Sequence, residues 1–507
     1  MDLGNEYILA SPLILIFGFS IVNLLIDAIG RSRKAVYYFS IAGLAVTALF
    51  AGFTLPATPE DINYAYSAAA GNLASLNLLN MITIGGYASF MDILFCIGGI
   101  LTLLAARPYI LREYDEYSEF YSLIVFAVSG MMFIGHAANF LLLFIGIEIM
   151  SICFYALAGY FRKRPRSVEA ALKYFLLGCF ATGFLLYGIA MVYGATGSLD
   201  LSIIYNKIMT GTGINPFYLN IGLGLLIVGL GFKIAAFPFH QWAPDVYHGS
   251  PTVISGFMSA AGKAAAIIAF VIVGRALIVP DAASTQSVIS SGTGQMILAV
   301  ISAATMLIGN LTALIQKNVK RMLSYSSVAH AGYLLMGVVA ANASGWNGIL
   351  FYSAAYLFMQ TGSFIVVSMI ERNDETNLAI ADYAGLRKAY PLLSAAMAVF
   401  MFSLAGLPPF AGFFGKYYLF IATVEAGYTW LTIIAVISSI ISMYFYIGLV
   451  IQMYFREPES ATTQATDGEE PQIGTGSAKF ALAVSVAATL LFGVLPSLIT
   501  NITEKFF

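Results

Sequence analysis

Residues 230–274 read LGFKIAAFPFHQWAPDVYHGSPTVISGFMSAAGKAAAIIAFVIVG. An apolar run carrying Lys233 is broken at Pro238, and a second apolar run follows with Lys263 as its one internal charge. A lysine at a bilayer centre costs roughly 2.5–3.5 kcal/mol on insertion scales. Proline removes a backbone hydrogen bond and kinks a helix. Backbone freed in this way is tolerated at membrane depth only where it meets protein or a water-filled cavity. The stretch therefore predicts an all-α polytopic membrane protein with an interior that handles charge.

The rest of the chain agrees. Of its 507 residues, 59% are hydrophobic and only 10% charged, with a mean hydropathy of +0.84, whereas soluble domains carry about 25% charged residues. Apolar runs of the ~17–25 residues that cross a bilayer recur about fourteen times. With the N-terminus outside, every loop lysine and arginine except Lys207, Arg275 and Lys505 falls on the inner side, as the positive-inside tendency requires. Both termini are then expected on the outer, periplasmic face. The N-terminus has no basic region before its first apolar run and reads as a retained span. The inner loop 456–478 is polar and acidic and reads as a flexible connector. Net charge is −2, with no basic patch to suggest nucleic acid. Cys96, Cys153 and Cys179 all lie in apolar segments without a CxxC pair. They read as small buried hydrophobes rather than cluster or zinc ligands.

A second interrupted span, FSLAGLPPFAGFFGKYYLF (402–420), has Pro408 and Pro409 followed by Lys416. It lies five spans beyond the first and so runs in the opposite direction. Two inverted five-helix repeats would produce this, with a site at their interface; two unrelated proline kinks are the plainer account. The repeat reading divides the chain into helices 1–3 (1–118), a first repeat (119–275), a second repeat (276–455), and an inner loop with the last helix (456–507).

Glu148 sits mid-span in NFLLLFIGIEIMSICFYALAG (139–159). A lone carboxylate there seeks a cation, and Lys233 is the expected partner, either as a helix-joining bridge or as a switch. Lys263 has no evident partner. Lys173 either snorkels to the headgroups or pairs with Glu169 one turn away, or else it joins a relay. His330, mid-span in LSYSSVAHAGYLLMGV (323–338), is either a relay group or a hydrogen-bonded structural residue. His240 and His248 flank the first break and suit a rim or plain loop packing; His136 reads as structural. Asp27 and Asp92 read as span-end residues. No phosphate-binding loop, haem pattern or nucleophile–base pair is present in the sequence.

Three segments, GFKIAAFPFHQWAPDVYHGSPTVISGFMSAAGKAAA (231–266), NVKRMLSYSSVAHAGY (318–333) and LAGLPPFAGFFGK (404–416), resemble the antiporter-like subunits of respiratory complex I. The same motifs are shared with multi-subunit cation/proton antiporters. The resemblance spans about residues 119–455. It is strongest to the N branch of bacterial NADH:quinone oxidoreductase, the counterpart of mitochondrial NADH dehydrogenase subunit 2. Lys416 stands where the M branch usually has glutamate, and Lys263 where the L branch usually has histidine. The chain also reads as about fourteen spans without the long lateral helix expected of the L branch.

The resemblance implies a proton-translocating membrane-arm subunit of the bacterial inner membrane that belongs to an enzyme complex yet performs no redox chemistry itself. Its relay residues would be Glu148, Lys233, Lys263 and Lys416, with His330 and Lys173. It also implies that NADH, FMN, iron–sulfur clusters and quinone are bound by other subunits, and that sister antiporter-like subunits and lipid are the neighbours. A sodium/proton antiporter subunit and a non-transporting scaffold are the alternative functions.

Overall fold

A computed structural model describes residues 10–30, 32–56, 81–278, 291–372, 376–457 and 476–506; most of the 456–478 loop lies outside them. Among the described residues fourteen helical spans follow one another, the number that the apolar runs predict. They are α1 (Ser11–Gly30), α2 (Arg33–Thr54), α3 (Gly86–Glu113), α4 (Glu119–Gly135), α5 (Phe140–Ala158) and α6 (Pro165–Thr196). The first interrupted span is α7a (Pro216–Lys233) with α7b (Trp242–Gly249). Then come α8 (Thr252–Leu277), α9 (Ser291–Leu314), α10 (Val319–Ala340) and α11 (Ala343–Ile370). The second interrupted span is α12a (Pro391–Ala405) with α12b (Ala411–Glu425), followed by α13 (Thr429–Phe455) and α14 (Gly476–Val494).

Local chemistry sets the helix starts. The side chains of Asn139, Asn215, Asn318 and Asn342 accept from the first free N–H groups of α5, α7a, α10 and α11, a standard N-cap. Proline occupies the first turn of α6, α7a and α12a, where its missing N–H removes no bond.

The layering decides where charge can reside. The membrane windows of α8 and α11 are wholly buried and that of α10 nearly so, whereas α1 and α6 turn most of their surface outward. The outward side chains are apolar, among them Phe180, Tyr444 and Leu392, as a lipid-facing surface requires. Lys263 and His330 therefore sit on the innermost helices. Cys96 and Cys153 are buried as expected, but Cys179 is exposed on the outer face of α6.

Both interruptions are stabilised by specific bonds. After α7a the chain turns through Ala235 at φ +59° and a cis Phe237–Pro238 bond. The Trp242 indole donates to the Phe232 carbonyl at 3.0 Å, and the Phe237 N–H donates to Thr305 of α9 at 2.9 Å. After α12a, Gly406 takes φ +84° ahead of a cis Pro408–Pro409 bond, and the Gly412 N–H donates to Ser403 Oγ at 3.0 Å. A third irregularity, the π-helical turn Met258–Gly262, immediately precedes Lys263; such turns in α-helices are frequent at functional sites.

Candidate functional site

Lys233 ends α7a, and its buried Nζ points to α5. It donates to Ser151 Oγ at 2.7 Å and reaches Tyr155 OH at 3.5 Å. The expected direct pair with Glu148 is not closed, since no contact within 4.0 Å joins the two. Glu148 instead accepts from Thr182 of α6 at 2.8 Å. Residues 148, 151 and 155 share one face of α5, being three and four apart, so Lys233 is docked about one turn beyond the carboxylate. Matching charge to charge in the sequence overlooked the hydroxyls, which offer each ion a closer partner.

Lys263 does have a partner. Its Nζ donates to the Ser327 carbonyl and to Ser327 Oγ, the latter at 2.8 Å. Ser327 lies on α10 one turn before His330. The His330 ring has both nitrogens engaged: Nδ1 with Tyr352 OH of α11, and Nε2 with Tyr446 OH of α13 at 3.0 Å. The Tyr356 and Tyr333 rings complete the enclosure, with centroids 4.9 and 5.7 Å from that of His330.

Lys416 closes the line. Its Nζ donates to the carbonyls of Leu404 and Ala405 at 3.1 Å each and to Ser439 Oγ at 2.9 Å, and it stands 4.9 Å from the Tyr333 ring centroid. The two carbonyls are the terminal acceptors of α12a, where a helix leaves C=O groups unsatisfied and carries partial negative charge. The geometry thus brings Lys233, Lys263, His330 and Lys416 into the buried interior, with a half-buried Glu148 at the first end.

Lys173 is not part of this interior line. It is partly exposed and binds Glu169 at 2.7 Å and Asp245 of α7b at 3.0 Å. Asp245 also takes Arg321 of α10 at 2.9 Å. These side chains, with Arg166 and His248, line a cleft of about 190 Å³. His136 is structural as expected, held between the Thr83 carbonyl at 2.5 Å and Asp92 at 2.7 Å. Asp92 lies near the start of α3, as expected, and is fully buried. Asp27 accepts from Ser118. Lys320, counted in the sequence with the inner-loop cations, is buried in the first turn of α10 and donates to the Ser250 carbonyl at 2.9 Å. The buried Glu371 accepts from Thr252. Among the described residues no group of three or more His, Cys, Asp or Glu side chains could hold a metal ion.

Residues 137–442 match the family model described as NADH:quinone oxidoreductase/Mrp antiporter, TM. NADH-quinone oxidoreductase subunit N 1 of Chloroherpeton thalassium is 40% identical over 501 residues, covering 99% of this chain and 98% of that one. The chain belongs to the subunit N family of NADH-quinone oxidoreductase. Subunit N of Salinibacter ruber is 36% identical, covering 100% of this chain and 98% of the relative. A chain of respiratory complex I from Thermus thermophilus superposes with a TM-score of 0.78 at 32% identity, covering 97% of this chain and 99% of that one. The Mrp complex from Dietzia sp. contains a chain with the same TM-score at 20% identity, a likeness of fold. The antiporter-like fold expected from the three sequence motifs is therefore the observed one.

Proposed function

We propose that this subunit N family member translocates protons in the membrane arm of a bacterial NADH:quinone oxidoreductase, through the line Glu148, Lys233, Lys263, His330 and Lys416. The observation that carries the reading is the trio of buried lysines Lys233, Lys263 and Lys416, each seated on neutral oxygens and none locked to a carboxylate. Buried charges with a purely structural role are ordinarily paired. A hydroxyl can accept from an ammonium or donate to the lone pair of a neutral amine, so the seats of Lys233 and Lys263 suit both protonation states.

Glu148 is the moving part. When its carboxylate leaves Thr182 and approaches Lys233, it stabilises the ammonium through charge; when it returns, Lys233 releases its hold on the proton. Lys263 takes up and passes on charge toward His330 and Lys416 in response. In this reading residues 119–275 and 276–455 act as two inverted repeats with the line at their junction, and both termini face the periplasm. NADH, FMN, iron–sulfur clusters and quinone belong to other subunits, and sister antiporter-like subunits flank this one. Lys173 serves the inner cleft through Asp245, outside the line.

Lys263→Ala and Lys263→Arg complexes, assayed for assembly and for proton uptake per NADH in membrane vesicles, test the reading. Alanine should permit assembly, because it removes a buried charge without stranding a partner ion, and should abolish coupled pumping. Arginine should not rescue, since a guanidinium does not give up its proton at these pH values. Normal pumping in the arginine variant would sink the relay. Sodium-dependent proton exchange from a small assembly without redox cofactors would instead establish the antiporter alternative, and normal pumping in both variants would favour the scaffold.

A further inference from the structure

His330 is enclosed by tyrosines that the line of charges does not require. A neutral imidazole presents one N–H donor and one bare nitrogen, whereas a phenol can donate and accept. Both ring nitrogens of His330 meet phenol oxygens, Tyr352 on Nδ1 and Tyr446 on Nε2. The three residues come from α11, α10 and α13, and all are buried. The trio therefore has two hydrogen-bond polarities: one has Tyr352 donating and Tyr446 accepting, and the other reverses both bonds.

Close packing sets one of these phenol rings against the helix that carries Lys416. A Cβ on Gly415 would lie 2.1 Å from the Tyr352 ring, so the ring is seated on bare α12b backbone, one residue before Lys416. On the other side, Lys263 is hydrogen-bonded to Ser327, one turn before His330 on the same helix. Lys263 thus meets α10 one turn from His330, and Tyr352, bonded to His330, packs against the helix that carries Lys416.

We infer that Tyr352 and Tyr446 are relay residues that carry the proton through His330 between Lys263 and Lys416, an assignment that rests on the relay reading of those lysines. For passage from Tyr352 to Tyr446, the Tyr352 O–H bond breaks as Nδ1–H forms, and an incoming proton replaces the one lost from the Tyr352 oxygen. The Nε2–H bond breaks as a new O–H forms on Tyr446, whose original phenolic proton leaves on the far side. Each oxygen ends with one proton and the imidazole remains neutral with its tautomer exchanged. Turning the ring about Cβ–Cγ exchanges each nitrogen with a carbon and not Nδ1 with Nε2, so the starting tautomer returns when a proton passes the other way. Passage in the opposite direction uses the same bonds.

The test uses the whole complex in membrane vesicles, with Tyr352→Phe, Tyr446→Phe, the double variant and Lys263→Ala. Phenylalanine keeps the ring and its packing and deletes only the hydroxyl. The double variant should assemble on native gels yet lose about a hundredfold of its coupled turnover, the lower range of what a positioned proton-transfer group supplies. Normal pumping in the double variant, with Lys263→Ala inactive, would overturn the tyrosine assignment alone; normal pumping in both would remove the relay reading as well. Should the phenylalanine variants fail to assemble, site-specific 3-fluorotyrosine at 446 decides the matter, because it preserves the hydroxyl and the packing and changes only phenol acidity. Its pH–turnover profile should move to lower pH, and an unmoved profile would overturn the assignment.

Discussion

At the end of α7a the Lys233 ammonium rests on two side-chain hydroxyls, whereas beyond the second interruption Lys416 is held chiefly by the backbone carbonyls that terminate α12a. Three acceptors meet the three N–H bonds of Lys416, counting Ser439. Two of those acceptors are carbonyls fixed by the helix and with no proton to offer a neutral amine. The Lys233 oxygens can reverse polarity, and a carboxylate waits on the same face of α5. One interrupted helix has built a rigid seat for a cation and the other an adjustable one. Under the proposed relay, the adjustable end is where a signal from a neighbouring subunit would act, and the rigid end is where charge would be received.

This contrast can be broken most forcefully through the backbone. A Cβ on Gly412 would lie 1.9 Å from the Ser403 carbonyl oxygen, while one on Gly231 before the first break would lie 3.1 Å from the edge of the Phe239 ring. Gly412→Ala should therefore destabilise the subunit by about 1–3 kcal/mol, the usual range for overpacking, and deplete the assembled complex on native gels. Gly231→Ala should assemble nearly normally. Equal losses would mean that the two breaks are equally rigid.

Replacing the lysines themselves should give the next largest difference. Lys416→Met strands buried carbonyls that cannot rotate away, at about 1–3 kcal/mol for an unsatisfied group. Lys233→Met leaves hydroxyls that can turn to other acceptors; Ser151 already donates to the Ile147 carbonyl at 2.6 Å. Both variants should stop pumping, but Lys416→Met should lower the thermal stability of the detergent-solubilised complex further. The opposite ranking of melting temperatures would refute the rigid-seat account.

A sharper test lies at Glu148. With the pair open, Glu148→Gln keeps a hydrogen-bond acceptor for Thr182 and strands no ammonium, so assembly should remain near normal while proton uptake per NADH falls. Breaking a closed buried pair would instead cost about 3–5 kcal/mol. Severe loss of complex would therefore indicate a closed structural bridge. The smallest effects belong to single hydroxyls. Ser151→Ala and Ser439→Ala should each cost about 0.5–1.5 kcal/mol, with Ser439→Ala changing turnover less because two carbonyls still hold Lys416. A larger turnover loss for Ser439→Ala would reverse the proposed roles of the two ends.

The lysines and breaks were legible because each is conspicuous in an apolar run: a charge where none belongs, a proline where a helix should continue. Their partners were not. The chain has 30 tyrosines, and membrane proteins place many at the bilayer interface for ordinary reasons, so nothing marked Tyr352 or Tyr446. Lys320 looked like a loop cation because it follows Lys317 and Asn318, yet it is buried and donates to the Ser250 carbonyl. Asp92 lies close enough to a span end to pass for a surface residue, until His136 from the end of α4 is folded against it.

A resemblance in three motifs pointed to the family; the sequence by itself also determined the fourteen spans, their two interruptions and the placing of Lys233, Lys263 and Lys416 inside apolar runs. These follow from local properties: the length of an apolar run, the missing N–H of proline, the desolvation of a charge. Only the tertiary structure decided which oxygen each ion meets. Lys263 and Ser327 are 64 residues apart, and His330 and Tyr446 are 116 apart. A hydrogen bond requires its atoms to lie within a few tenths of an ångström of one distance, and helix register and crossing geometry set that distance. The same packing turned the expected Glu148–Lys233 pair into two separate contacts, because Thr182 and Ser151 reached the ions first.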